Sequence, residues 1–366
     1  MPYGTVNADL MTTSDGVSSS GLYGFKNRII NGAMVIDQRN AGASVTPANN
    51  DYTLDRWKIS ISQSSKFTVQ QNAGSVTPPS GFTNYLGVTS SSAYSVLSTD
   101  YFLISQRIEG FNFADLNWGT SNAQSVTLSF WVRSSLTGTF GGSIENNANN
   151  RSYPFSYTIS SANTWTQISV TIAGDTSGTW IGATNGIGAK VWFSLGAGST
   201  VSTTAGAWAS GDYQSATGAV SVVGTNGATF YITGVQLEKG STATSFDYRP
   251  YGTELSLCQR YYWKSLSGTA VAATGGIGAF ANATTLQTMY QYPVPMRSSP
   301  TFVISGCNVA NGAVSFPVTS VGTSYIGPNG AQMTLVASAG TFTLGQCGYT
   351  YDVSSGTGYS AFSAEL

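Results

Sequence analysis

Three stretches combine aromatic rings with amides or carboxylates: Phe111–Trp118, Glu145–Tyr153 and Trp208–Gln214. Proteins bind neutral sugars with such residues, because an aromatic face stacks on the sugar ring while Asn, Asp or Gln side chains reach its hydroxyl groups. The best candidates are Trp208, Asp212 and Tyr213 in a Gly/Ser-rich segment, followed by Trp118 and Tyr153. The alternative is that these rings only cover the end of a folded domain.

The chain contains no histidine, which excludes His-based general bases, Ser-His-Asp triads and the commonest zinc ligand. It also lacks a phosphate-binding P-loop and the GxSxG turn of hydrolases. Glycoside hydrolysis needs only two carboxylates and stays open in principle, but the sixteen acidic residues are thinly spread. We therefore predict a protein that is not an enzyme.

Cys258, Cys307 and Cys347 are widely spaced and fit no metal-binding pattern. We expect buried free thiols, with a Cys307–Cys347 disulfide as the alternative. No DxDxDG calcium loop is present, so no cofactor or metal is predicted, although loop carboxylates could hold a structural calcium ion.

Charged residues make up only 8% of the chain and the net charge is −1. Nucleic-acid binding requires a dense basic patch, so we predict none. No run of about 18 apolar residues exists, which argues against membrane insertion. The first residues lack the basic and apolar regions of a secretory signal, and none is predicted.

Most of the chain shows the two-residue alternation of β-strands, with turn-forming residues between the runs. The predicted class is all-β, with antiparallel sheets that have one buried and one wet face. We expect Trp57, Trp131, Trp165 and Trp192 in the core, since they lie on or beside such runs. The predicted parts are an extended N-terminal arm that orders only on a partner or, as the alternative, a disordered tail (1–25), a large β-sandwich (26–252), a linker helix (253–264) and a smaller C-terminal β-sandwich (265–366).

Charges are concentrated in two segments, 24–58 and 237–264, which hold 8 and 7 of the 31 charged residues. We expect the first and last strands of the large sandwich to bring these segments together as a structural clasp of ion pairs. The expected partners of Arg28, Arg39 and Arg56 are Glu238, Asp247 or Glu254. Those of Asp37 and Asp55 are Arg249 or Arg260.

Several motifs resemble those of tailed-bacteriophage virion proteins. NRIINGAMVIDQRNAG followed by YTLDRW is similar to their opening, and TFYITGVQLEKGSTATSFDYRPYGTELSLCQRYYWK to the close of their carbohydrate-binding-like jelly roll. PVPMRSSPTF and the final SAEL resemble the small C-terminal domain that follows, and MPYGTVNADLMTTSDG resembles N-terminal attachment segments of phage fibres. The motifs identify a virion module and carry no binding residue of the family.

The resemblance implies a tail-fibre or receptor-binding protein of the virion that mediates adhesion to host-surface polysaccharide. It implies a homotrimer, attached to other virion proteins through the N-terminal arm and assembled in the host cytoplasm. Two alternatives stay open: a structural virion part without adhesive function, such as a capsid decoration or tail connector, and a depolymerase.

Overall fold

The computed structural model describes residues 26–265, 273–352 and 358–366, apart from the side chains of 273–275. Within them the chain divides into two compact units, one up to Tyr251 and one from Gly252 onward. In both units β-strands are the predominant secondary structure, which confirms the all-β prediction. The predicted arm, residues 1–25, lies outside the described residues, and the predicted four-part division stays a prediction.

The first unit contains thirteen strands within the described residues. In chain order they are β1 (Tyr52–Leu54), β2 (Trp57–Ile61), β3 (Phe67–Gln71), β4 (Leu86–Ser90), β5 (Tyr101–Glu109), β6 (Val126–Ser134), β7 (Gly138–Glu145), β8 (Ser152–Ile159), β9 (Thr166–Ile172), β10 (Ile187–Ala197), β11 (Ser202–Thr203), β12 (Ser215–Ala216) and β13 (Thr229–Lys239). They form a six-stranded sheet in the order β1-β2-β5-β10-β7-β8 and a five-stranded sheet in the order β3-β4-β13-β6-β9. Strands β11 and β12 form a short parallel pair.

The two large sheets are antiparallel and pack face to face around one hydrophobic core. Phe193 of β10 lies 5.1 Å from Phe130 of β6, and Phe140 of β7 lies 6.0 Å from Phe230 of β13, measured between ring centres. Alternating apolar side chains supply both inner faces, as the two-residue period predicts. The first unit is therefore the expected β-sandwich.

The outer faces of its central strands are not wet, contrary to the prediction. Nine consecutive residues of β10 and nine of β13 are buried on both faces. Segment 198–222 lies over the six-stranded sheet, where a Cβ on Gly141 would come within 2.5 Å of the Ser215 Oγ. Segment 240–249 lies over β13, whose Gln236 accepts a 2.8 Å hydrogen bond from the Asp247 amide. Long connections thus bury polar strand residues that the alternation assigns to solvent.

Of the four tryptophans expected in the core, Trp57 is fully buried there. Trp131 is half-buried on the outer face of the five-stranded sheet, opposite Gln167 and Thr233. Trp165 is also half-buried, outside the main core, where its ring contacts Tyr85. The predictions for these two were wrong, because strand alternation alone does not say which face is inner. Trp192 is buried, but under a loop on the outer side of its sheet.

The second unit contains the only α-helix of the described residues, α1 (Tyr251–Gln259), except for the first residue of that helix. Its strands are β14 (Tyr262–Lys264), β15 (Ala273–Phe280), β16 (Thr285–Gln291), β17 (Thr301–Ser305), β18 (Cys307–Ala310), β19 (Ser315–Val321), β20 (Tyr325–Ile326), β21 (Gly330–Ala337), β22 (Cys347–Asp352) and β23 (Tyr359–Ser363). They form a three-stranded sheet, β14-β23-β17, and a seven-stranded sheet, β16-β15-β22-β18-β19-β21-β20. Strand β16 also pairs with β21, so the larger sheet closes on itself.

The predicted helix 253–264 starts two residues earlier and ends at Gln259. Residues Tyr262–Lys264 form β14 instead, because this aromatic-rich run pairs with β23. The three cysteines form no disulfide, so the Cys307–Cys347 bridge is absent. Cys258 and Cys307 are buried as predicted, whereas Cys347 is exposed.

The two charge-rich segments meet through contacts that include backbone amides, carbonyl oxygens and side-chain amides. The Arg28 amide donates to Leu237 O at 2.9 Å, and the Asn27 side chain bridges to the same strand. Asp247 accepts the amides of Lys26 and Asn27 at 3.0 and 3.2 Å. The Arg249 guanidinium donates to the carbonyl oxygens of Asn27 and Ile29.

Arg28 does not pair with Glu238, Asp247 or Glu254 as expected. It forms a bidentate pair with Asp115, with Nη–Oδ distances of 2.7 and 2.8 Å. The carboxylate of Glu238 is instead taken up locally by the side chain of Gln236 and by Thr244. Glu238 thus bonds to residues close to it in the chain. Arg28 instead pairs with a residue of a distant loop, and sequence spacing does not reveal this contact.

The other residues of the first segment also make defined contacts. Asp55 accepts two hydrogen bonds from Gln38, at 2.7 and 2.6 Å, and Arg56 donates to Arg107 O at 2.5 Å. The Arg39 guanidinium lies 5.1 Å from the centre of the Tyr52 ring. Asp37 accepts the amides of Asn40 and Gly42, which shapes a local turn.

We predict that Asn27 stabilises the contact between the two charge-rich segments. Its side chain accepts the Ile29 and Leu237 amides and donates to Val235 O, while the residue is 5% exposed. Asn27→Ala leaves these buried groups unpaired and should lower the free energy of unfolding in urea by roughly 2 kcal/mol. The exposed Asn122→Ala should change it by less than about 0.5 kcal/mol. Equal effects of the two variants would contradict this role.

Candidate functional site

The three aromatic-rich stretches converge at one end of the first sandwich. Ser152 and Ala209 exchange backbone hydrogen bonds of 3.1 and 2.8 Å, and the Gly211 amide donates to Asn150 O at 3.1 Å. These contacts join the loop that follows β7 to the 208–214 loop. Trp118, which ends the 111–118 stretch, reaches both through its ring contact with Trp208.

Five aromatic rings, which we call the end cluster, fill this region: Phe113, Trp118, Tyr153, Trp180 and Trp208. The three indoles lie nearly perpendicular to one another, with ring centres 4.7 to 5.5 Å apart. The Tyr153 ring is 5.3 Å from Trp208, and Phe113 stacks on Trp180 at 5.8 Å. Edge-to-face pairs of this kind stabilise one another beyond the apolar area that they bury.

Each indole N–H of the end cluster is fixed by a hydrogen bond to a loop. Trp118 donates to Gln124 O at 2.7 Å and Trp208 to Ala173 O at 2.8 Å. Trp180 donates to the Asp175 carboxylate at 3.2 Å. The ring planes are thus held in place by the chain, which preserves any surface that they offer to a ligand.

Arg151 and Asp175 link two of these loops through a bidentate ion pair of 2.6 and 2.8 Å. The Asp175 side chain is 2% exposed and that of Arg151 is 16% exposed. The hydrogen bond to Asp175 raises the pKa of Arg151 above its ordinary value. The guanidinium also lies 5.9 Å from the centre of the Trp208 ring, so this one side chain contacts both the carboxylate and the end cluster.

Asp212 lies in a second, polar group on the same loops. Its carboxylate accepts hydrogen bonds from Gln214 at 2.7 Å and from Asn149 at 3.3 Å. The Lys190 ammonium donates to Asn149 and, at 3.3 Å, to Glu145. The amide of Asn149 therefore connects Asp212 to a buried lysine on the sheet below.

The candidate rings differ in how far solvent reaches them. Trp118 is only 5% exposed and belongs to the core, so its ring is not free for stacking. Trp208, Tyr153 and Tyr213 are half-buried. Tyr213 folds back over Gly211, whose φ of +147° and close approach of 2.7 Å leave no room for a Cβ. Phe111, on the 111–118 stretch, is 57% exposed.

The sequence interpretation missed Trp180, Asp175 and Lys190. The first two belong to a run, AGDTSGTWIGATNG, with the same mixture of glycine, hydroxyl and aromatic residues as the three chosen stretches. That composition was a usable signal. Lys190 gave none, because it lies within an apolar strand and becomes relevant only when the sheet aligns it with Glu145.

The site offers aromatic faces, amides and carboxylates but little net charge. Arg151 pairs with Asp175, and the Lys190 ammonium lies 3.3 Å from the Glu145 carboxyl group. Within the described part of the chain, no group of three or more Cys, Asp and Glu residues is arranged to hold a metal ion. No helix in the same residues is long and apolar enough to cross a membrane.

No protein-family model and no curated protein matches the chain. Among solved structures, it is similar to a putative sugar binding protein from Bacteroides thetaiotaomicron, with a TM-score of 0.35, 15% identity and coverage of 59% of this chain and 100% of that one. It is also similar to a family 11 carbohydrate-binding module from Clostridium thermocellum in complex with a mixed-linked tetrasaccharide (TM-score 0.28, 10% identity, 55% and 97% covered).

A third similar structure is the enzymatically active domain of a bacteriophage CBA120 tailspike protein. The TM-score is 0.32, the identity is 13%, and the match covers 58% of this chain but only 21% of the tailspike chain. No residue role and no function is transferred from these proteins to this chain.

Breaking the Arg151–Asp175 pair should destabilise the first unit. Asp175→Asn leaves a largely buried guanidinium without its carboxylate, so we expect the free energy of unfolding in urea to fall by about 3 kcal/mol. The matched variant Asp115→Asn removes the partner of Arg28. Because the Asp115 side chain is 55% exposed, this change should lower the free energy of unfolding by less than about 1 kcal/mol. If Asp175→Asn lowers the free energy of unfolding by no more than Asp115→Asn does, the buried pair does not stabilise the first unit as we expect.

Proposed function

We propose that the first unit binds an uncharged oligosaccharide at the end cluster. The observation that carries this proposal is the convergence of half-buried aromatic rings with the exposed amides of Asn147, Asn149 and Asn150 on loops joined by hydrogen bonds. Aromatic faces and amides are the groups that pyranose rings and their hydroxyls require. Trp208 and Tyr213 would stack on the sugar, and Asp212 and Tyr153 would border it.

The preference for uncharged sugars follows from the ion pairs of the site. A sulfated or uronic-acid sugar needs a cation with free hydrogen-bonding capacity. Arg151 is held by the Asp175 carboxylate, so using it would first require breaking a largely buried pair, and Lys190 is only 5% exposed. Neutral hexose units impose no such cost.

The wider proposal is that the chain is a virion protein of a tailed bacteriophage, a tail fibre that attaches to host-surface polysaccharide. Its support is the sequence resemblance of the Asn27–Gly42 and Thr229–Lys264 motifs. In this proposal the protein is a homotrimer joined to other virion proteins by residues 1–25. Three copies would bind a repetitive polysaccharide far more tightly than one weak site does.

The second candidate is a structural virion protein without adhesive function, a capsid decoration or tail connector. One observation favours it: Trp118 is core, and Tyr153, Trp180 and Trp208 pack against that core. Rings in such positions can close the end of a sandwich without a ligand. The two candidates differ in one property, which is binding of a glycan by the intact protein.

The depolymerase alternative has little support at this site. Glu145 and Asp212 lie close enough for a side-chain hydrogen bond, and Glu145 is fully buried. Glycosidases hold their two carboxylates roughly 5 Å or more apart, on either side of the scissile bond. No substrate could enter between this pair, so we propose a binding function without catalysis.

Removing the aromatic faces should weaken glycan binding. On an array of host-surface oligosaccharides, Trp208→Ala and Tyr213→Ala should each lower the affinity about tenfold, which corresponds to about 1.4 kcal/mol. Trp165→Ala, which removes a half-buried indole outside the end cluster, is the control and should bind like the parent. The adhesion proposal fails if the intact protein binds no glycan, or if all three variants bind like the parent.

The oligomeric state is a separate expectation. Native mass spectrometry of the full chain should give three times the 38.2 kDa mass of one chain. A monomer over the micromolar range would remove the trimer from the proposal and leave the single-site binding test untouched.

A further inference from the structure

Glu145, the last residue of β7, is 0% exposed. Its Oε2 atom accepts hydrogen bonds from Lys190 Nζ at 3.3 Å and from Trp192 Nε1 at 3.1 Å. Its Oε1 atom is also buried, yet among the described residues no donor reaches it. A buried carboxylate oxygen without a donor is costly, so this atom requires an explanation.

Asp212 supplies the explanation. The two carboxyl groups are near enough for a side-chain hydrogen bond, but two ionised carboxylates have no proton with which to form it. If Glu145 keeps its proton, Oε1 becomes a donor to Asp212 and both oxygens are satisfied. Lys190 then faces one net negative charge instead of two. The charges balance, and no buried oxygen is left over.

We propose that Glu145 is protonated in the folded protein, and that its hydrogen bond to Asp212 holds the 208–214 loop, and with it the proposed glycan site, in place. When Glu145 loses its proton, two like charges face each other and the loop is released. The loop-holding role stands on the buried, unpartnered Oε1 atom of Glu145 and on its nearness to Asp212. The consequence for ligand binding rests on the proposed glycan function.

The electrostatic surroundings agree. Burial, with a further contribution from Asp212, raises the pKa of Glu145 to about 8. Burial lowers the pKa of Lys190. Arg107 on β5 is the other charged group that acts on Lys190 from the neighbouring strand. Release of the loop is therefore expected in weakly alkaline solution.

The two side-chain types that most often titrate near neutral or weakly alkaline pH are absent from the first unit. The chain has no histidine, and its three cysteines all lie beyond Tyr251. At this site Lys190, whose pKa is lowered by burial, is the other side chain that could produce a transition. The variants must therefore separate Glu145 from Lys190.

The test follows tryptophan fluorescence of the ligand-free full chain from pH 6 to 10, because Trp192 touches Glu145 and Trp208 begins the loop. The parent should show a one-proton transition centred near pH 8. Glu145→Gln keeps a donor toward Asp212 and cannot ionise, so the transition should disappear. The control Asp115→Asn should keep it. A flat parent curve, or a transition that persists in Glu145→Gln and so belongs to Lys190, would overturn the proposal.

Stability gives a second, independent readout. The unfolded chain releases the Glu145 proton near its ordinary pKa of 4.5, whereas the folded protein keeps this proton up to about pH 8. The free energy of unfolding should therefore fall as pH rises through this interval in the parent, and less steeply in Glu145→Gln. Identical slopes would contradict the proposal even if that variant were destabilised overall.

Glycan binding is measured last, with the oligosaccharide that the array identifies. The parent should lose at least about tenfold in affinity between pH 6.5 and 9.5, whereas Glu145→Gln should change less than twofold. The same loss in both proteins would exclude control of binding by Glu145. If no oligosaccharide binds at any pH, the glycan function fails while the two ligand-free measurements still decide the loop-holding role.

Discussion

The ion pair between Arg151 and Asp175 is the interaction on which the loop end of the first sandwich depends. It joins the loop between β7 and β8 to the loop after β9, with both hydrogen bonds shorter than 2.9 Å. Asp175 also receives the Trp180 N–H, and Arg151 lies over Trp208. Only 8% of the residues in this chain are charged, so few side chains can join loops in this way. The position of the pair under the aromatic cluster explains how long Gly/Ser-rich loops can keep a defined shape.

Buried polar residues on the two large sheets are also held by specific partners. Long connections cover the outer faces of β10 and β13, so polar strand residues are buried and must find partners. Glu238 is satisfied by Gln236 and Thr244, and Lys190 by Glu145 and Asn149. In this group, Glu145 has a buried carboxylate oxygen that no donor among the described residues reaches. This unpartnered oxygen makes Glu145 a candidate for pH-dependent control of the 208–214 loop.

Much of this architecture can be predicted from the sequence. The two-residue alternation places strands such as Thr166–Ile172 correctly, and it predicts the all-β class. Composition alone also selects three loop stretches that meet in space. Alternation cannot show which strand face a connection will cover, so Trp131 and Trp192 were assigned without knowledge of their surroundings. Nor can spacing reveal that Arg28 reaches Asp115, since that contact depends on how a distant loop folds back.

The central claim is that the end cluster binds a neutral sugar. A crystal structure of the full chain with the host-surface oligosaccharide tests this most directly. We predict a pyranose ring stacked on Trp208 or Tyr213, with its hydroxyls within 3.2 Å of the Asn149, Asn150 or Asp212 side chains. A sugar bound elsewhere on the chain, with these side chains still facing solvent, would contradict it.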